Sequence, residues 1–429
     1  MKKWTALLVL LSASALLTAA RAEPVAVING KIHTMRPAGV IKGGTVIFDN
    51  GVITAVGAGL APPAGAKVID AKGGIVTPGL MDSLTFLGLR EVSAEQTTDD
   101  TTAAKAEFSA AFDVSYGINP DSAVIPVTRM HGITRAITAP VTSKTVFAGQ
   151  AAAISLGEGS SFWVRPGIAM FVSLDGAGAR IAGGARGASW VFLREVMNDV
   201  QFYRDNRKAF DKAEARATVL PRVDLEALIP VIEGRMPLVM EAYRESDIRQ
   251  VIAFAGAYKL RVILLGGAEA WKVAPELARA GIPVIADPRD NLPTSFETLG
   301  ASLDNVPRLQ KANVKVAIAT MGGALDQRYR SLRQFAGIAV ANGLPYDEAL
   351  AAITRVPAEI WGMSANYGAL EKGKDADIVV WSGDPLEFTS MPTAVFIRGQ
   401  AQDLTSRQTE LRDRYRDVKN APPTGYVPR

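Results

Sequence analysis

Thr77-Pro-Gly-Leu-Met-Asp-Ser-Leu-Thr-Phe-Leu-Gly-Leu89 marks the point where this 429-residue chain changes character. Before it, residues 24 to about 76 are short β-branched runs broken by Gly and Asn. Thr45 to Val56 reads as a hairpin turning at Asp49-Asn50-Gly51, where the residues tolerate a positive φ. The same character returns near the other end, in Ala376-Asp-Ile-Val-Val-Trp381 and Ala394-Val-Phe-Ile-Arg-Gly-Gln400. Two distant β-rich pieces flanking a long middle predict one small sheet domain built from both ends of the chain.

The middle alternates between strand and helix. Pro237 to Tyr243 is a strand run. Ser246 to Tyr258 follows as a helix with Ser246 as its N-cap and Ile248, Val251, Ile252 and Phe254 on one stripe. Arg261-Val-Ile-Leu-Leu265, Ile282-Pro-Val-Ile-Ala286 and Val314 to Thr320 read as further strands, and Ala270 to Ala280 and Arg330 to Asn342 as helices. This alternation predicts parallel strands covered by helices. Periodicity alone leaves an open doubly wound sheet and a closed barrel both standing. Residues 158–217 are less regular and read as an insertion. In it Gly176 to Gly187 is a loop, and Ser189 to Ala217 is helical with Trp190, Leu193, Val196, Val200 and Tyr203 on one side. Residues 405–429 read as a short helix and a tail.

Composition narrows the chemistry. The chain holds two histidines, His33 and His131, and no cysteine. They are not spaced to share an ion, so a nitrogen- or sulfur-rich zinc site is close to excluded. There is no G-x-S-x-G elbow, no P-loop and no dinucleotide fingerprint. Met1 to Ala22 reads as a secretory signal: Lys2 and Lys3, an apolar core from Leu7 to Leu17, and Ala20-Arg-Ala22 as cleavage site. The core is short for a membrane span, which needs about 20 residues. Cleavage after Ala22 and a periplasmic location are the expectation, with no membrane span in the mature chain. Loss of Lys2, Lys3 and Arg21 leaves that chain close to neutral, which argues against nucleic acid as a partner.

The opening stretch resembles the end of the first barrel strand of the amidohydrolase superfamily, P-G-x-x-D-x-H-x-H. Pro78, Gly79 and Asp82 fit the pattern, and Leu84 and Phe86 stand where it wants histidines. Gly132-Ile-Thr134 with Ala148 to Ile154, and Tyr243-Arg-Glu-Ser-Asp-Ile248, are similar to the imidazolonepropionase-like branch. Ala349 to Glu359 and Gly368 to Ile378 look like the family's closing signature. The resemblance implies an α/β fold: a TIM-type (β/α)8 barrel with a small β-sandwich from both chain ends, and a site at the C-terminal ends of the strands. The corresponding boundaries are a signal peptide at 1–22, a sandwich from 23–76 plus 361–404, a barrel at 77–360 and a tail at 405–429.

Carried over residue by residue, the family's remaining metal ligands fall on Glu241, Gly266 and Met321, and the fourth-strand lysine has no counterpart near Met170 to Leu174. Only Glu241 keeps an oxygen a metal could use. The expectation is a protein without metal or other cofactor, whose pocket floor is Leu84, Phe86, Glu241, Gly266 and Met321. Its role would be to bind a small-molecule ligand or to serve as the non-catalytic subunit beside an active paralogue. The alternative is a working hydrolase of C–N bonds, using Glu241 as general base with Tyr243 donating to an oxyanion, or a carboxylate-only metal site. Glu269 is the third catalytic candidate. Against these stand structural roles: Glu241 paired with Arg244 or Arg129, Asp82 and Asp247 bonding to backbone, His131 at a helix C-terminus, and His33 on the sandwich surface. Returning His or Asp to all five ligand positions is expected to rebuild a zinc site.

Overall fold

The computed structural model describes residues 23–36, 39–321 and 328–416. The expected signal peptide and the last part of the tail lie outside the described residues. Two eight-stranded sheets organise the rest.

The first sheet takes strands from both ends of the chain. Val25–His33 (β1), Val40–Asp49 (β2), Val52–Ala58 (β3), Lys67–Asp70 (β4) and Ile75–Pro78 (β5) come from the N-terminal side. The hairpin between β2 and β3 turns at Asn50 and Gly51, both with positive φ, as the sequence predicts. Strand β5 also pairs antiparallel with a strand near the other end, Val379 opposite Thr77. Val27, Ile32, Val46, Phe48, Ile53, Val76, Ile378, Val380 and Phe396 form this sheet's own apolar cluster.

Pro78 ends β5, and after Gly79 the chain enters the second sheet as Leu80–Thr85 (β6). Gly79 is required here because a Cβ would lie 2.1 Å from the Thr134 hydroxyl oxygen. The sheet continues through Ile133–Thr138 (β7), Phe147–Ser155 (β8), Val164–Ser173 (β9), Leu238–Ala242 (β10), Val262–Gly266 (β11), Val284–Ala286 (β12) and Val316–Ile318 (β13). Its order follows the sequence from β6 to β13. Ile378–Trp381 (β14), Pro392–Ile397 (β15) and Gln400–Ala401 (β16) then complete the first sheet.

The second sheet is nearly closed and fits a TIM-type barrel, with two departures. Strand β8 runs antiparallel to both β7 and β9, while the other pairings are parallel. Between β13 and β6 the edge is spliced by the connection ahead of Arg355: Ile318 donates its N–H to Ala352 at 3.0 Å and Met81 to Ile353 at 2.8 Å. A barrel has no free edge only if every such N–H finds a partner, and these two backbone bonds supply partners at the seam.

Three local readings are corrected. Residues 164–173, inside the expected insertion, are barrel strand β9. The segment read as a loop contains the helix Gly176–Ile181, capped by the Asp175 carboxylate on Gly178 N–H at 2.9 Å. Ser246 does not cap the helix Glu245–Tyr258; Arg244 holds the N-cap position without a side-chain bond, and Ser246 lies in the first turn. The 20-residue helix Arg186–Asp205 does bury Trp190, Leu193, Val196, Val200 and Tyr203. No helix among the described residues is long and apolar enough to cross a membrane.

Candidate functional site

The parallel strands β6, β10, β11, β12 and β13 end together, so their last residues and the loops behind them form one rim. Leu84, next to last in β6, is buried in the apolar core, and Met321, just past β13, packs against the same core half-buried with φ +58°. Phe86 follows β6 and is half-buried. Its N–H donates to the Tyr329 hydroxyl at 3.0 Å, and its ring carries the Arg90 guanidinium at 4.4 Å. Gly266 closes β11 with φ +87°, and a Cβ there would lie 2.6 Å from the Tyr243 ring. Its lack of a side chain is therefore set by Tyr243, which occupies the space.

Glu241 sits in β10 opposite Ser173 and Leu265 of its neighbours. It accepts a hydrogen bond from the Tyr243 hydroxyl at 2.8 Å. The expected pairing with arginine does not occur: Arg244 is bidentate on Asp247, at 2.9 Å for both bonds, and Arg129 pairs with Glu158. Tyr243 likewise spends its proton on Glu241 and is not free to face an oxyanion. Burial, then the nearby charge of Asp175, pushes the Glu241 carboxyl above the usual carboxylate range. Burial and Glu241 raise Tyr243 as well, so both groups hold their protons more tightly than in water.

The other candidates take structural places. Glu269 accepts the N–H groups of Glu245 at 2.9 Å and Gly300 at 2.8 Å and pairs with Lys272 at 3.0 Å. Asp247 binds arginines rather than backbone, with Arg186 also on it at 3.1 Å. Asp82 is fully buried and accepts from Leu84 N–H and Thr320 N–H, both at 3.2 Å, and from the Thr320 hydroxyl. Burial raises its carboxyl to about 7. His131 follows the helix Val124–Arg129 as expected, and burial lowers its imidazole to about 4. His33 is not on the surface: it is only 2% exposed.

Three further acids reach this rim and were not singled out by sequence. Asp175 follows β9, and Asp287 and Asp290 follow β12. Asp287 pairs with Arg289, whereas burial and then Asp287 raise Asp290 to about 6. The signal that could have found them is an acid just past a parallel strand, where a barrel exposes its working end.

The metal centre implied by the family resemblance can be tested against this donor set. Leu84, Phe86, Gly266 and Met321 offer no electron pair suited to a hard or borderline cation, leaving Glu241 alone. Among the described residues no group of three or more His, Cys, Asp and Glu side chains is placed to hold a metal ion. The residues present do not fit a metal centre.

Comparison with known proteins supports the architecture. Residues 240–405 match the amidohydrolase family. The chain is 24% identical over 393 residues to the amidohydrolase tasK of Hapsidospora irregularis, covering 84% of this chain but only 40% of that relative. A 113-residue stretch is 32% identical to the imidazolonepropionase of Acidiphilium cryptum, covering 26% of this chain and 27% of that one. In three dimensions the chain resembles an amidohydrolase from Thermotoga maritima MSB8, with TM-score 0.79 and 24% identity, over 88% of this chain and 99% of that structure. The chain is thus similar in sequence to the amidohydrolase family over residues 240–405, and over most of its length it has the fold of the Thermotoga maritima amidohydrolase.

Proposed function

We propose that this protein is exported, binds a small-molecule ligand at the barrel mouth without metal-dependent hydrolysis, and acts by itself or as the non-catalytic subunit beside an active paralogue. One observation carries the reading: Leu84, Phe86, Gly266 and Met321 occupy the ligand positions together, and none of them can hold a metal. A metal in such a site lowers the pKa of bound water to about 7 and polarises the carbonyl under attack. Without ligands neither effect is available, and an apolar floor such as Leu84 and Met321 favours binding an apolar group. The test is elemental analysis of protein purified from the exported fraction, with N-terminal sequencing of the mature chain. No stoichiometric metal and a start at Glu23 are expected. One bound equivalent, removable together with activity, sinks the proposal.

A second reading is favoured by Glu241. Among the described residues no arginine or lysine pairs with its half-buried carboxyl, whose pKa is raised, the environment in which a carboxyl can transfer protons near neutral pH. Relatives that carry the name amidohydrolase add weight to hydrolysis. In that reading the protein hydrolyses C–N bonds without metal, and Glu241→Gln removes turnover in chelator-treated protein. Turnover unchanged in that variant excludes Glu241 as the base.

A further inference from the structure

We infer that residues 287–304 form a strap that gates the barrel mouth and is latched shut by Glu297 on Arg186. The segment joins β12 to the helix Asn305–Lys311 and contains neither helix nor strand. Connections longer than about 12–15 residues without such structure are uncommon in compact domains, and many are binding loops or lids. Its bonds fix its path. From the end of β12 it reaches, at Glu297, both Arg186 at the start of the helix Arg186–Asp205 and Gly176 just past β9. A Cβ on Gly176 would lie 2.7 Å from the Glu297 carboxylate. The segment then turns back to the loop after β11, where Gly300 donates to Glu269 at 2.8 Å and accepts from the Trp271 indole at 2.9 Å. Because the sheet runs β9, β10, β11, β12, the outward run passes the ends of β11 and β10, where Gly266, Glu241 and Tyr243 stand. The charge of Asp290 acts on Tyr243 and that of Glu297 on Glu241, so the strap lies beside both groups.

Polar bonds hold the strap, not a core. Residues 291–296 are all exposed, Leu292 at 71% and Phe296 at 87%. Lifting them uncovers no packed apolar group, and a segment with so little buried apolar surface opens readily. The two ends are pinned. Arg289 pairs with Asp287 and lays its guanidinium over the Phe335 ring at 3.8 Å, and Gly300 is held as described. Between these ends the fastening is the partly buried pair of Glu297 and Arg186. Arg186 has a second support, since its Nε donates to Asp247 at 3.1 Å and Asp247 is itself held by Arg244. The arginine therefore stays in place as a catch when the strap lifts. The gate rests on the reading that the barrel mouth binds a ligand.

The chain has no cysteine, so introduced thiols report without interference. Spin labels on Val191→Cys, in the helix Arg186–Asp205, and on Phe296→Cys, both at exposed positions, read the distance between catch and strap by double electron–electron resonance. One narrow distribution is expected, lengthened and broadened by Glu297→Gln and likewise by Arg186→Gln. In a separate Glu241→Cys variant, Glu297→Gln is expected to speed labelling by N-ethylmaleimide about tenfold, because loss of a partly buried pair shifts the strap towards its open form. Circular dichroism checks the fold of each variant. An unchanged distance distribution overturns the proposal, as do equal labelling rates. Arg135→Ala, which removes a buried ion pair with Asp377 between the two sheets, should leave labelling slow. An equal acceleration there overturns the gate by tracing access to general unfolding. None of these readouts involves metal or ligand. Bound metal would end the metal-free reading and leave the gate standing, and failure of the gate would leave that reading standing.

Discussion

At the scale of single residues, a fully buried carboxyl, Asp82, and a half-buried one, Glu241, make the stability depend on pH. Asp82 has a native pKa raised to about 7 against an ordinary 3.8. A raised native pKa means the folded state holds the proton more tightly, so the Asp82 contribution is full below pH 4 and is lost as pH rises towards 7. Asp82→Asn, a neutral isostere, is expected to flatten that part of the stability curve in urea melts from pH 4 to 8. Asp82→Ala is expected to cost about 2–5 kcal/mol at any pH in that range, because it strips acceptors from three buried donors. The sign is the same for Glu241, whose raised pKa arises first from burial and then from Asp175. Glu241→Gln should leave the melting temperature unchanged at pH 4 and raise it at pH 8. A variant less stable than wild type at pH 8 would show that the ionised carboxylate has a compensating partner.

At the scale of elements, the ends of β10 and β11 are fitted to each other through Tyr243 and Gly266. Gly266→Ala combines a positive φ with a contact of 2.6 Å to a ring held by Glu241, and should destabilise the protein by about 2–3 kcal/mol. In a Tyr243→Ala background the same change should cost less, since only the backbone strain remains, and a double-mutant cycle measures the difference. This bears on rebuilding the metal site. Returning histidines and aspartate to all five ligand positions is defeated at Gly266→His, whose side chain cannot enter without expelling Tyr243. The five-fold variant is expected to fold poorly and to take up no zinc in calorimetric titration. The four-fold variant retaining Gly266 should remain folded, as its melting curve will show. Such loss of room at one strand end is a tertiary event, and nothing in Gly266-Gly-Ala-Glu269 displays it.

At the scale of the whole molecule, the two sheets are clamped together by a buried ion-pair cluster. Arg135 of β7 bonds Asp377 at 3.0 Å and also Asp375, both ahead of β14, and its guanidinium lies 4.2 Å from the Tyr367 ring centre. Arg135→Ala leaves Asp377, 2% exposed, without its cation and should cost about 3–5 kcal/mol in urea unfolding. Adding Asp377→Asn should recover part of that loss, because the uncompensated charge is then gone. No recovery would place the energy in the packing of the arginine stem instead.

The sequence by itself determined the alternation that makes the second sheet, the β-rich ends that meet in the first, and the chemical character of the strand ends. Those features are local: a strand run, an Asn-Gly turn, or a leucine at the end of a strand acts over a few residues. Tertiary structure alone decided that β8 runs antiparallel and that the barrel seam is spliced by residues 352 and 353. It also decided that Glu241 bonds Tyr243 rather than an arginine, and that His33 is buried against the helix carrying Asp347. The seam bonds and the His33 contact, at 2.8–3.3 Å, depend on partners that packing brings in from tens or hundreds of residues away. Arg244 was as plausible a partner for Glu241 as Tyr243 when only spacing was known. The turn into the helix Glu245–Tyr258 points its guanidinium at Asp247 instead, and that leaves the Glu241 carboxyl to the tyrosine.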